Sequence, residues 1–223
     1  MLGIIGGTSL LFSRLPDLEK KVISTPYGNS EVLCGEIAVL LRHQHNRPPH
    51  RINFRSNMAA LALLGVDRVI AIGSAGSLKM DIPPGSLVIP TDYMSDAAIP
   101  SIHDHAIRHI QPGLPLDMAG KLSDLVPEAR LGGVYVQTRG PRIETVAEVA
   151  ALARCADIVG MTLASEATLA LELGMKFAAI CPVDNYANGL GDEGLSYELM
   201  LENANRYKDR MDRILRDIVA GLS

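Results

Sequence analysis

Residues 132–149, GGVYVQTRGPRIETVAEV, contain a strand, a turn and a helix in unbroken succession. GGVYVQT reads as a strand, Gly140-Pro141 as a turn, and the stretch from 144 to 156 as an amphipathic helix. A carboxylate, Glu144, stands at the junction just behind the turn. The ordinary reading of an acid there is a favourable partner for the helix macrodipole.

The same strand–loop–helix rhythm extends in both directions. LGIIGG (2–7) is a short apolar run that enters a tight loop, and residues 31–43, EVLCGEIAVLLRH, read as strands with a turn near Gly35. Ile52, Met58, Leu61 and Leu64 carry a helical pattern that stops at Gly65. DRVIAIGSAGSL (67–78) is a strand running into a glycine-rich loop, and residues 83–94 hold another strand bracketed by prolines. Beyond the opening stretch, DIVGM (157–161) reads as a strand, 164–174 as a helix and KFAAICPV (176–183) as a strand. Ser196 is positioned to cap a last helix reaching about residue 220. Residues 97–117 alone have no period; they contain His103, His105 and His109, and a long irregular segment of this kind is usually functional or mobile. Alternating strands and helices imply an α/β sheet with helices packed on its faces, here in one domain spanning 1–223. Pockets in such folds lie at the loops off the strand ends, where these glycines collect.

The bulk properties narrow the function. The 223 residues are 48% hydrophobic and carry a net charge of −4, enough apolar content for one sizeable core. Lys and Arg are scattered, so neither nucleic acid nor an anionic membrane is an expected partner. No apolar run approaches the ~18 residues of a membrane span. The N-terminal MLGIIGGTSL lacks the basic start of a signal peptide, and a cytoplasmic protein is expected. Cys34, Cys155 and Cys181 show no C-x-x-C spacing, which predicts free, buried thiols in a reducing compartment.

Three motifs are suited to a small anion. GIIGGTS (3–9) does not match the dinucleotide pattern G-x-G-x-x-G, and no acidic residue follows about 20 positions on. It is either a plain turn or a nest in which the N–H groups of Gly7 and Thr8 and the Thr8 hydroxyl meet phosphate. GSAGS (73–77) offers a second set of donors, and RHQH (42–45) ends a strand with a guanidinium and two imidazoles. Glu144 and the pair Asp184–Asn185 each follow a predicted strand and can converge on one pocket. VGMTLASEA (159–167) ends a strand at Met161-Thr162 and places Glu166 in the next helix, where a solvated face is the simple expectation.

IGGTSL, RHQH ahead of an N-x-x-x-N helix, GSAGSL, GPRIETVAE, VGMT…E and VDN occur in this order along almost the whole chain. Together they resemble the trimeric purine nucleoside phosphorylase and methylthioadenosine phosphorylase family. The resemblance implies an α/β phosphorylase whose central mixed sheet is partly closed into a barrel. It implies attack of phosphate on C1′ of a nucleoside, with no metal and no organic cofactor. Thr8, Arg42, His43 and Thr162 would bind phosphate, with backbone N–H groups around Ser74, and Met161 would lie along the ribose. His109 resembles a histidine that some relatives insert into a neighbouring subunit's sugar pocket, which implies a homotrimer, or a hexamer built from trimers.

The base follows from hydrogen-bond chemistry. A 6-oxopurine carries N1–H as donor and O6 as acceptor, whereas adenine presents N1 as acceptor and N6–H₂ as donor. An ionised carboxylate only accepts, so Glu144 suits N1–H, and the Asn185 amide can donate to N7 or O6. Adenine-cleaving relatives typically have serine and aspartate at these two places. Asp184 either assists the base or caps its loop. Tyr197 falls near the 5′ end of the sugar, where enzymes for 5′-hydroxyl nucleosides often carry a histidine. Its absence favours 5′-methylthioinosine over inosine or guanosine. An adenine-specific methylthioadenosine phosphorylase is one alternative, and a non-catalytic purine nucleoside-binding protein is another. Gly73, Ser74, the ASE preceding residue 167 and the short loop after Asn185 depart from the family pattern.

Overall fold

The computed structural model describes residues 1–7, 10, 18–191, 202–203 and 205–223. At its centre β1 (Leu2–Gly6) runs parallel to both β4 (Ala38–Leu41) and β5 (Arg68–Ile72). All of β1 is buried, as its uninterrupted apolar run requires. β2 (Glu19–Thr25) and β3 (Gly28–Cys34) form an antiparallel hairpin, and β3 pairs with β4 through Leu33↔Val39 and Cys34↔Ala38. β2 lies at the edge of the sheet. Its lysines and glutamate discourage pairing with another chain.

The longest strand, β12 (Lys176–Tyr186), joins two parts of the sheet. Its first half is parallel to β5, from Lys176↔Arg68 to Ile180↔Ile72. Cys181 and Pro182 then pair antiparallel with β7 (Leu87–Ile89), which also pairs with β9 (Arg130–Leu131). The last residues run parallel to β6 (Ala75–Ser77), and the register slips between Val183 and Asn185. From β6 the sheet continues through β11 (Ile158–Gly160) and β10 (Val134–Gln137) to β8 (Asp92–Ser95).

Side-chain alternation explains how the helices are placed. Val69, Ala71, Phe177 and Ala179 face a cluster with α1 (Phe54–Leu63) and α4 (Leu163–Glu172). Their neighbours Ile70, Ile72, Ala178 and Ile180 face the other way, toward α2 (Leu116–Leu125) and α5 (Lys208–Leu222). Both faces of the parallel strands are therefore covered, which is why they read as continuous apolar runs.

Two expectations are corrected here. The helix after the Gly-Pro turn, α3, spans Val146–Leu152, shorter than the 144–156 read from the pattern. Cys155 is exposed, while Cys34 is partly buried and Cys181 fully so; none is in a disulfide. Residues 97–115 are irregular, but α2 begins at Leu116, inside the 97–117 stretch read as having no period. Ser196 lies outside the described residues. No helix among the described residues is long and apolar enough to cross a membrane.

Candidate active site

The carboxyl ends of β1, β4, β5, β11 and β12 and the loop after β10 surround a cleft of about 1020 Å³. Its two ends differ in chemistry.

At one end lies Arg42, directly after β4 and 3% exposed. Its Nε donates to Glu166 Oε1 at 2.7 Å and its Nη2 to Glu166 Oε2 at 3.0 Å, a two-pronged ion pair. Nη1 donates to the Ile72 carbonyl at 2.7 Å. Gly7 is required beside it, because a Cβ there would sit 2.8 Å from Nη1. His43 Nδ1 lies 2.8 Å from the Arg47 carbonyl, which can only accept, so Nδ1 carries the proton. Burial, and secondarily the Arg42 charge, push the imidazole below its ordinary pKa against the pull of that carbonyl. His43 is therefore neutral near pH 7, and among the described residues Nε2 is left as an acceptor. A monohydrogen phosphate retains one O–H, and such an acceptor suits it.

Thr162 starts α4, and its hydroxyl makes no capping bond to the helix. The N–H groups of Thr162 and Leu163 instead donate to the Tyr135 hydroxyl, at 3.3 and 3.5 Å. Burial raises the Tyr135 pKa well above the phenol range, so it stays neutral. Gly160 is glycine for a steric reason: a Cβ there would lie 2.3 Å from that hydroxyl. Among the described residues the Thr162 hydroxyl has no capping bond, and together with Arg42 and the glycine turn it is a group of the kind that suits an oxyanion.

At the other end is Glu144, 7% exposed. It does not cap α3. Thr145 is the N-cap, and a capping box with Glu148 is complete: Glu148 N–H donates to Thr145 Oγ1 at 3.2 Å, and Thr145 N–H to Glu148 Oε2 at 2.7 Å. The helix-start role given to Glu144 by simple expectation is thus filled by Glu148. Thr145→Ala should cost about 1 kcal/mol in denaturant unfolding and leave substrate selectivity unchanged. Glu144 Oε1 accepts from Thr138 Oγ1 at 2.5 Å, which leaves its other oxygen uncommitted among the described residues. The loop is pinned by Asn188 Nδ2, which donates to the Glu144 carbonyl at 3.0 Å.

Asp184 and Asn185 both line the cleft, although consecutive residues on a regular strand face opposite ways. The register slip accounts for this, since Asp184 is the extra residue between Val183↔Ala75 and Asn185↔Gly76. Asn185 Nδ2 donates to the Tyr186 carbonyl at 2.7 Å, and one amide hydrogen remains. Asp184 is 5% exposed. Burial raises its carboxyl to about 6, moderated by the adjacent Ser74 hydroxyl. Ser74 Oγ is itself buried and lacks a well-formed hydrogen bond among the described residues.

Residues 1–220 match the model of the Phosphorylase superfamily. The chain belongs to that superfamily. It is 39% identical to a probable 6-oxopurine nucleoside phosphorylase from Archaeoglobus fulgidus, covering 98% of this chain and 96% of the relative. It is 35% identical to a probable S-methyl-5′-thioinosine phosphorylase from Methanocaldococcus jannaschii, covering 98% and 92%. A methylthioadenosine phosphorylase from an antarctic soil metagenomic library superimposes with a TM-score of 0.87 at 27% identity, covering 98% and 85%.

Of the residues predicted from this phosphorylase's sequence, Arg42, His43, Ser74, Glu144, Met161, Thr162, Asp184 and Asn185 all line the one cleft. Thr8 and Tyr197 lie outside the described residues. His109 is exposed and does not line the cleft. Its loop is anchored upstream, where Glu172 accepts from Ser101 Oγ at 2.8 Å and from Ile102 N–H at 2.7 Å. Residues 104–109 beyond the anchor are all exposed, Ile107 among them. Glu166 is the residue that sequence reasoning misplaced: it is buried against Arg42 rather than on a solvated face. Among the described residues no group of three or more His, Cys, Asp or Glu is placed to hold a metal.

Proposed function

We propose that this phosphorylase domain cleaves 6-oxopurine nucleosides with inorganic phosphate. Phosphate attacks C1′, the N9–C1′ bond breaks, and the purine departs with the bonding pair. The products are free hypoxanthine or guanine and a ribose-1-phosphate, or its 5-methylthio analogue when the substrate is 5′-methylthioinosine.

The observation that carries this reading is Glu144, a buried acid relieved of helix capping, with one oxygen held by Thr138 and the other uncommitted among the described residues. Set opposite N1–H it accepts; set opposite adenine N1 it would meet a lone pair. Asn185 shares the cleft and keeps an amide hydrogen for N7 or O6, where charge collects as the base leaves. Phosphate is already nucleophilic at neutral pH, so the protein has to position and stabilise rather than generate a nucleophile. Arg42, neutral His43, Thr162, the N–H groups around Ser74 and, by resemblance, Thr8 do this, while Met161 lies along the sugar. Phosphate is a co-substrate, and the chemistry requires no metal or organic cofactor.

The exposed 104–109 tip supports a homotrimer in which His109 completes a neighbour's sugar pocket. Tyr197 is assigned to the 5′ end of the sugar. We assign the enzyme to purine salvage in the cytoplasm.

The test is phosphate-dependent base release from 5′-methylthioinosine, inosine and methylthioadenosine, side by side. Both inosine substrates should be cleaved, 5′-methylthioinosine the faster. Methylthioadenosine should have a kcat/KM lower by a factor of about 100 or more, the scale at which an unpaired buried polar group rejects an analogue. Cleavage of methylthioadenosine alone would overturn the assignment of Glu144 and Asn185. Binding without phosphate-dependent turnover would make the protein a nucleoside-binding module.

A further inference from the structure

The Arg42–Glu166 pair is enclosed, with side chains 2% and 3% exposed, whereas pairs such as Lys176–Asp117 and Arg142–Glu148 lie in solvent. Burying two charges is costly, and a buried ion pair is often no more stabilising than apolar side chains of the same volume. Stability alone is therefore a poor reason for one at the wall of a cleft.

An arginine has five N–H donors in a rigid fork. Here Nε and one hydrogen of Nη2 go to Glu166, and one hydrogen of Nη1 goes to the Ile72 carbonyl. Among the described residues two N–H groups remain without a partner, one on each terminal nitrogen, and Nη1 lies beside Gly7 at the cleft. Glu166 sits in the first turn of α4, and its N–H bonds the Thr162 carbonyl at 3.2 Å. One helical turn thus holds both the carboxylate that grips Arg42 and the hydroxyl of Thr162.

Taking phosphorolysis as the activity, we propose that Glu166 is a positioning residue for phosphate. It acts through Arg42, fixing the plane of the guanidinium so that the two uncommitted N–H groups stay registered with Thr162 on one oxyanion. It also balances the arginine's charge, so an orienting role and a charge-damping role make opposite predictions. Loss of orientation weakens phosphate binding, while release of an unbalanced guanidinium would tighten it.

The experiment measures phosphate KM, nucleoside KM and direct calorimetric binding of inorganic phosphate for the full chain and its variants. Glu166→Gln keeps an acceptor for Nε and should raise phosphate KM roughly tenfold; Glu166→Ala should raise it roughly 100-fold. Nucleoside KM should stay within about twofold in both, since Glu166 is given no contact with the nucleoside. Adding Glu166→Ala to Arg42→Lys should worsen phosphate KM no further, the non-additivity expected if one acts through the other. Calorimetric binding of hypoxanthine checks the fold, and if Glu166→Ala loses it, Glu166→Gln with and without Arg42→Lys decides. An unchanged or lower phosphate KM, a nucleoside KM that rises in step, or additive effects would overturn the positioning role. If the unmodified protein neither binds phosphate nor requires it for base release, the functional reading itself falls and this inference with it.

Discussion

Glu144→Gln should lower kcat/KM for inosine and 5′-methylthioinosine by roughly 10- to 100-fold, the worth of one charge-assisted hydrogen bond. The carboxylate has two acceptors with separate tasks, one for Thr138 Oγ1 and the other for N1–H. An amide cannot perform both without loss. If its oxygen stays with Thr138, its NH₂ meets N1–H donor to donor. If it flips, a neutral carbonyl takes N1–H and Thr138 must find another acceptor inside a buried site. Phosphate KM should be unchanged, because the oxyanion end of the cleft is not touched. Methylthioadenosine should become a better substrate relative to the other two, since an amide hydrogen can reach adenine N1. Steady-state kinetics on the three nucleosides reads this directly. An equal loss on all three would reduce Glu144 to a structural acid, and no loss would remove it from the base site.

The sequence displays the composition of the site better than its arrangement. Among the described residues, those named from strand ends line one cleft, because loops after parallel strands must gather on one side of a sheet. What remained hidden depends on pairing across the chain. Glu166 and Arg42 are 124 residues apart, and nothing local marks either as a partner of the other. Only the topology does so, by placing β4 two strands from β5 and packing α4 over the same face. The N-terminus of α3 was legible: T-x-x-E at 145–148 is a capping-box pattern, and reading it would have freed Glu144 from the helix at once. β2 escapes the periodicity argument because EKKVIST is an edge strand, mostly exposed and stabilised by its hairpin partner. α2 escapes it because it begins immediately after Pro115, at the end of an irregular stretch. β12 runs past Pro182, which usually argues against a strand interior. The proline sits where β12 exchanges one partner for another, between its pairing with β5 and its pairing with β6.

The bulge at Asp184 is the other feature no local pattern shows, and it leads to the largest stability effect expected here. As the extra residue of a β-bulge it is turned into the cleft beside Asn185, and burial raises its carboxyl from an ordinary 3.8 to about 6. Below the ordinary value the group is protonated in both folded and unfolded chains and contributes nothing. As pH rises, the unfolded chain ionises first while the folded chain holds its proton. The folded state therefore loses stability between about 4 and 6, and the loss is complete above that range. The shift corresponds to about 3 kcal/mol, taking 1.36 kcal/mol per pKa unit. Asp184→Asn stays neutral throughout and escapes this penalty. Its melting temperature, measured relative to the unmodified protein, should climb between pH 4 and pH 7.5 by several degrees, at about 2–4 °C per kcal/mol for a chain of this length. A difference that does not move with pH would mean that the carboxyl is solvated or otherwise paired. A group kept at such a cost in the wall of a cleft is the kind that catalytic sites retain against stability. The variant should accordingly be more stable at neutral pH and a slower phosphorylase. An enzyme both more stable and fully active would assign Asp184 to shaping the bulge alone.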